Sequence, residues 1–260
     1  TDWLKARAAQ DFGLLEETLT KVVAFQKEFI PYWQKEEKTP YDVLLNQFEP
    51  GMTVEKLDQV FDQVKQGIQE IRTVLAEKGT PPRTDFLSRK MTKEQQRRFV
   101  IGVVEQLGYD FSKGRLDDTV HPFMTALNRN DARITTRWEE NNFSMATFGV
   151  IHEAGHGMYE QNFDPKFDFT PLSEGASMGI HESQSLFNEI IIGSNRAFWQ
   201  KQYPFFQDCA EGTFDDIAFE DFYASLKETK ASLIRIDSDS LTYPLHIIIR
   251  YEIEKMLFNG

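Results

Sequence analysis

The residues with the clearest chemical potential lie between Ile151 and Glu160, a stretch that contains the pattern His-Glu-x-x-His. On a helix, His152 and His156 are four residues apart, so both imidazoles leave the same side and can bind one metal ion. Glu153 follows the first histidine and can reach a water on that ion as a general base. Because the chain has only five histidines, this spacing favours a catalytic metal site over two solvated side chains.

The small residues within this stretch also need an explanation. Gly155 and Gly157 flank the second histidine, and a glycine inside a helix costs roughly 1 kcal/mol relative to alanine. A surface helix would more naturally carry Lys, Glu or Ala at these positions. The two glycines therefore predict the close approach of another backbone or of a substrate.

Two histidines do not complete the site, because a catalytic zinc ion normally has three protein ligands. The class with a third histidine six residues after the second is excluded, since Asn162 occupies that position. The other common arrangement takes a glutamate from a following helix, and the candidates are Glu160, Glu174, Glu182 and Glu189. Glu160 lies one turn further along the same helix, where it can hardly bind the same ion as the two histidines. We favour Glu182, a polar residue within an apolar run, with Glu174 or Glu189 next.

The elements that must position these residues are mostly helices, as the hydrophobic periodicity indicates. The predicted helices cover residues 2–36, 39–48, 53–77, 92–107, 142–162, 173–192, 195–211, 218–232 and 244–258. Two short strands, 120–127 and 132–136, flank a turn at 128–131. We predict a mainly α fold with a small β-sheet or hairpin beside the active-site helix, in a single domain over residues 1–260.

Composition excludes several classes of function. The formal net charge is −12, and without a basic stripe this argues against nucleic-acid partners and anionic membranes. No apolar run approaches the roughly 18 residues that a membrane span needs. Cys209 is the single cysteine, so no intrachain disulfide can form, which favours a reducing compartment. We predict a cytoplasmic protein.

Further motifs accompany the histidine pattern. They are His121-Pro122-Phe123, Asp131-Ala132-Arg133-Ile134-Thr135, His181-Glu182-Ser183-Gln184-Ser185 and Ile234-Arg235-Ile236-Asp237-Ser238-Asp239. In order and spacing they resemble the M32 metallocarboxypeptidases from Trp3 to Lys255. The resemblance implies that His152, His156 and Glu182 bind one divalent ion, zinc first and cobalt as the alternative, with Glu153 as the base. It also implies a zincin-like helical metallopeptidase core, hydrolysis of C-terminal peptide bonds with broad specificity, and a homodimer.

The sequence departs from the family pattern at two places. Ser238 replaces an alanine in the last motif, which is a mild change. The family's Gly-x-x-Gln-Asp-x-His-Trp motif is missing, since Gln10-Asp11 and Gln207-Asp208 lack the residues that should follow. Family members are also considerably longer. We therefore expect a central fragment that lacks an N-terminal region and a C-terminal segment, with apolar surface exposed where they would pack.

An enzyme that removes C-terminal residues must bind a free carboxylate, and arginine does so with two parallel hydrogen bonds. The candidates are Arg133, Arg137, Arg235 and Arg250. Arg235 ranks first because it lies among apolar residues in a family motif, although an ion pair with Asp237 or Asp239 is equally compatible. Arg133 is the second choice.

Other polar residues near these motifs can orient the metal ligands or bind the substrate. Asp131, or Arg133 itself, can orient the metal ligands, and His181 is a further candidate for this role. Tyr243 and His246 flank Pro244 at the start of the last helix. Either could bind the substrate and stabilise an oxyanion, and core packing is the alternative for both.

Two other functions remain open at this point. One is another His-Glu-x-x-His peptidase, such as an oligopeptidase or aminopeptidase, which unlike a carboxypeptidase would cleave peptides amidated at the C-terminus. The other is a truncated metal-binding domain without activity, which would bind metal without turnover.

Overall fold

Hydrophobic stripes at helical spacing produce a mainly helical protein in the computed structural model, which describes residues 1–235 and 238–260. In chain order its regular elements are α1 (Asp2–Ala9), α2 (Gly13–Trp33), α3 (Pro40–Phe48), α4 (Val54–Lys78), α5 (Lys93–Leu107), β1 (Leu116–Asp118), β2 (Met124–Asn128), β3 (Asp131–Thr136), α6 (Phe143–Gln161), α7 (Met178–Leu186), α8 (Arg196–Ala210), α9 (Phe219–Ser225) and α10 (Tyr243–Asn259). The predicted fold class, helical with a small sheet, is confirmed. None of the described helices is long and apolar enough to cross a membrane.

The chain folds into two compact units. Unit 1 contains Thr1–Lys78 and Ala231–Gly260, and unit 2 contains Gly79–Lys230. The single domain inferred from the sequence stays a prediction. The predicted metal ligands all lie in unit 2.

Unit 1 is a helical assembly with a small core of its own. Tyr41, Val43 and Leu44 of α3 are buried together with Ile30 and Tyr251. Thr39 and Asp42 form a reciprocal capping box that starts α3. The Tyr41 hydroxyl donates to Glu254 of α10 over 2.8 Å, which joins helices that are far apart in sequence.

The predicted single helix over residues 2–36 is wrong, because two helices occupy this range. Gln10 adopts a left-handed conformation that ends α1, and the Asp11 carboxylate then accepts the backbone N–H of Gly13 over 2.9 Å. A short polar side chain that caps the next backbone amide competes with helix continuation. The hydrophobic stripe continues through the break, which is why periodicity alone joined the two helices.

Unit 2 is built around α6 and an aromatic core. The ring of Phe143 on α6 packs against the rings of Phe206 and Phe222 at centroid distances of 4.8 Å and 5.9 Å, and Trp199 is fully buried beside them. Buried aromatic side chains supply a large share of the hydrophobic stabilisation of a core. This core therefore anchors the start of the motif helix.

A three-stranded sheet covers another face of α6. The strand order is β1-β3-β2, with β1 parallel and β2 antiparallel to the central strand. A Cβ at Gly157 would lie 2.7 Å from the Tyr109 ring and 3.4 Å from Ile134 of β3, so this glycine permits the close packing of helix and sheet. Strand β1 was not predicted from the sequence, because three residues are too few to show an alternating pattern.

Helix α7 lies directly on α6 at the other glycine of the motif. A Cβ at Gly155 would lie 2.7 Å from both the Gln184 carbonyl oxygen and the Ser185 Cα. The close backbone approach predicted from this glycine is therefore present, and the neighbour is α7. Ser177 caps α7 by accepting the N–H of Ile180 over 3.1 Å.

The predicted helix over residues 173–192 is correct only in part. It starts later, at Met178, and changes into a π-helical segment at Phe187–Ile192. A π-helix has hydrogen bonds between residues i and i+5, which change the direction of the side chains that follow. Such segments occur frequently at functional sites. Likewise, the helix predicted over residues 218–232 ends at Ser225.

We predict that Gly155→Ala lowers the free energy of unfolding by about 1–3 kcal/mol, because the added methyl group must push the backbone of α7 away. The matched control is Gly149→Ala on the same helix, where the nearest atom to a Cβ would be Thr136 Oγ1 at 3.9 Å. That substitution should raise the free energy of unfolding by about 0.5–1 kcal/mol. Urea denaturation followed by circular dichroism measures both, and equal effects would contradict the packing account.

Candidate metal centre

Three side chains from α6 and α7 converge on one point. The Oε2 atom of Glu182 lies 3.2 Å from Nε2 of His156 and 3.7 Å from Nε2 of His152. All three ligand atoms lie within 4.8 Å of one another, and no other such group of His, Cys, Asp or Glu residues occurs in ranges 1–235 and 238–260. The structure thus brings together the two histidines and the glutamate that the sequence favours.

The separations fit one small cation. With bonds of about 2.0–2.2 Å in a tetrahedral arrangement, ligand atoms lie about 3.2–3.6 Å apart. The two measured distances of 3.2 Å and 3.7 Å agree with this spacing. Two imidazole nitrogens and one carboxylate oxygen are also a donor set of catalytic zinc sites. The residues of this chain therefore fit a divalent ion at this position.

The opposite nitrogen of each imidazole also has a partner. His152 Nδ1 lies 2.8 Å from Oε2 of Glu189, and His156 Nδ1 lies 2.6 Å from Nδ1 of His181. With the Nδ1 atoms engaged, both Nε2 atoms face Glu182. Glu189 is one of the alternative ligands that the sequence offers, but its carboxylate contacts the Nδ1 side of the His152 ring. Its place in the π-helical segment explains why helical periodicity could not assign it.

Glu153 follows the first histidine of the cluster and is buried, with 7% of its surface exposed. Burial raises the pKa of the Glu153 carboxyl, and the neighbouring imidazoles of His152 and His156 oppose this effect. For Glu182 the balance is reversed, since the contact with His156 lowers its pKa despite partial burial. The two carboxyl groups therefore have opposite tendencies: Glu182 favours the charged form, whereas Glu153 holds a proton more readily.

Asp131 and Arg133 of β3 bind each other through two hydrogen bonds of 2.7 Å each. They alternate along the strand with Ala132 and Ile134, which are buried, so they point to the face of the sheet opposite to α6. Arg133 there lines a cavity of 710 Å³ together with charged residues that include Arg97, Arg115 and Asp117. Their predicted substrate and supporting roles stay predictions.

The other predicted substrate residues belong to unit 1. Arg235 donates from Nη1 to the Tyr243 hydroxyl over 2.9 Å, and its guanidinium lies 5.9 Å from the centre of that ring. His246 is half-buried on the first turn of α10. The alternative ion pair between Arg235 and Asp237 falls outside the described residues. The substrate roles of these side chains also stay predictions.

A helical core with a His-Glu-x-x-His helix and a glutamate from the next helix is typical of metallopeptidases. Comparison with known proteins identifies the family of metallopeptidases. The family model described as "Carboxypeptidase Taq (M32) metallopeptidase" matches residues 1–260. The chain therefore belongs to the M32 metallopeptidase family, as its motifs indicate.

Individual relatives agree in sequence and in structure. "Carboxypeptidase 1" of Bacillus subtilis is 49% identical over 260 residues, which are 100% of this chain and 52% of that protein. "Thermostable carboxypeptidase 1" of Thermus thermophilus is 36% identical over 99% of this chain and 52% of its own. The M32 carboxypeptidase of Deinococcus radiodurans R1 superposes with a TM-score of 0.93 at 39% identity, covering 98% of this chain and 51% of that structure. The chain thus spans about half the length of these relatives.

We predict that zinc stabilises the folded chain and that Glu182→Ala removes most of this effect. At free zinc about 100 times the dissociation constant, binding to the folded state adds about 2.7 kcal/mol to the free energy of unfolding. Thermal unfolding with zinc and with a chelator measures the difference. Glu174→Ala, which removes an exposed glutamate before α7, is the control. An unchanged zinc effect in Glu182→Ala, or its loss in Glu174→Ala, would contradict the assignment.

Proposed function

We propose that this chain carries the metal centre of a metallocarboxypeptidase, which hydrolyses the peptide bond next to a free C-terminus. The observation that supports it best is the convergence of His152, His156 and Glu182 around one point, with Glu153 buried beside them. The named carboxypeptidases among the relatives supply the substrate class. Because the chain spans about half of each relative, activity and substrate are proposals for this chain.

The chemistry of each side chain suggests its role in the proposed reaction. When bound, a divalent ion supplies a Lewis acid for the scissile carbonyl and lowers the pKa of a coordinated water. His152 and His156 would hold the ion through their Nε2 atoms, and Glu182 would hold it through a carboxylate oxygen. Glu189 holds the first imidazole in this orientation by accepting a hydrogen bond from its Nδ1 side.

Glu153 is the proposed general base. A carboxyl group whose pKa is raised by burial accepts a proton more readily at neutral pH and can pass it on to the leaving amine. Glu182 differs by retaining its charge, which suits a ligand. The two glutamates thus divide acid–base work and binding between them.

Of the two arginines favoured for the substrate carboxylate, we propose Arg235. Arg133 already forms a bidentate pair with Asp131, which neutralises its charge. Arg235 lies in a family motif and donates from Nη1 to the Tyr243 hydroxyl. Zinc as the ion, a homodimer and a cytoplasmic location also stay proposals from the sequence.

We predict that the zinc-loaded chain releases the last residue of an unblocked peptide and leaves the same peptide with a C-terminal amide intact. Mass spectrometry of the two peptides measures this. The control is Glu153→Gln, which keeps the shape of the side chain but removes the base. Its metal content should stay near stoichiometric while turnover falls by about 10²–10⁴.

Other outcomes identify the alternatives. Equal cleavage of both peptides would indicate an oligopeptidase or aminopeptidase. Bound zinc without cleavage of either peptide would indicate a metal-binding domain. Loss of zinc from Glu153→Gln would show that Glu153 supports the site rather than acting on the substrate.

A further inference from the structure

A chain of hydrogen bonds runs from the second histidine of the motif to a buried glutamate. His156 Nδ1 lies 2.6 Å from Nδ1 of His181, and His181 Nε2 lies 2.8 Å from Oε1 of Glu160. The side chains of His181 and Glu160 are only 20% and 14% exposed. Water therefore competes weakly for these contacts, and the three groups must satisfy one another.

The position of His181 is closely restrained by its neighbours. The ring of Tyr159 meets it edge-on at 5.1 Å. On another side, a Cβ at Gly175 would lie 2.9 Å from His181 Cδ2, so only glycine leaves the imidazole its space. Such packing keeps the ring from turning its nitrogens away from His156 and Glu160.

With Glu160 ionised and His181 neutral, the hydrogens along this chain of contacts can be arranged in only one way. An ionised carboxylate only accepts hydrogen bonds, so Glu160 requires the hydrogen of a neutral His181 to reside on Nε2. Nδ1 of His181 is then an acceptor, and His156 must donate from its own Nδ1. The remaining nitrogen of His156, Nε2, consequently carries a lone pair on the side facing Glu182.

We propose that Glu160 is a positioning residue that fixes the metal-binding tautomer of His156 through His181. The inference rests on the proposed role of His156 as a ligand. It gives each imidazole of the motif its own carboxylate: Glu189 contacts His152 directly, whereas Glu160 acts through an intervening ring. Glu160 is only four residues after His156 on α6, and His181 of α7 connects the two.

The substitution Glu160→Gln tests the proposal because an amide can either accept or donate a hydrogen bond. It permits both proton orders, including the one that places a hydrogen on His156 Nε2 and blocks the ligand. Zinc affinity, measured by competition with a chromophoric chelator, should fall about 10–100-fold. Glu174→Gln makes the same change of charge at an exposed position and should leave the affinity unchanged.

A double-mutant cycle shows whether Glu160 acts through His181. His181→Gln should itself weaken zinc binding, and adding Glu160→Gln in that background should have little further effect, since the connection is already broken. Additive losses of zinc affinity would show that Glu160 supports the fold independently of His181. That result would overturn the proposed positioning role of Glu160. Thermal unfolding of each variant without zinc verifies that the fold is retained.

Nitrogen NMR of the unchanged, zinc-loaded chain gives an independent answer, because five histidines yield a simple spectrum. We expect His156 to carry its hydrogen on Nδ1 and His181 on Nε2. A hydrogen on Nδ1 of His181 instead of Nε2, or an unchanged zinc affinity in Glu160→Gln, would overturn the positioning role of Glu160. Neither result would contradict the proposed metal centre. If the unchanged chain does not bind zinc, the proposed function fails as well.

Discussion

The contact on which the site depends is the close approach of α7 to α6 at Gly155. The backbone of Gln184 and Ser185 occupies the space where any other side chain would begin. This approach brings the Glu182 carboxylate within 3.2 Å of His156. A small residue in the motif is therefore as much a part of the candidate site as the proposed ligands, because it sets the distance between the two helices.

Charge and burial together explain the composition of the cluster. Four glutamates, Glu153, Glu160, Glu182 and Glu189, surround three imidazoles, and several of these groups are largely buried. Buried carboxylates need hydrogen-bond partners or a cation to offset the loss of solvation. Histidines provide such partners for Glu160, through His181, and for Glu189, through His152. The ring orientations of the proposed ligands follow from the same contacts.

The sequence was most informative where one residue type has one physical reason to be present. The helical spacing of the two histidines, the close approach of another backbone at Gly155 and the proximity of Glu182 to the histidines could all be predicted from it. Strand β1 is too short for a pattern, and the π-helical turns around Glu189 leave no signature in hydrophobic periodicity. The hydrogen bond between His181 and Glu160 depends on tertiary packing, so no spacing rule could indicate it.

The most direct test of the central claim is anomalous diffraction from crystals of the zinc-loaded chain, recorded above and below the zinc absorption edge. We expect one anomalous peak about 2.0–2.2 Å from Nε2 of His152, Nε2 of His156 and a carboxylate oxygen of Glu182. A peak bound by other residues, or ligation through Nδ1 of either histidine, would contradict it.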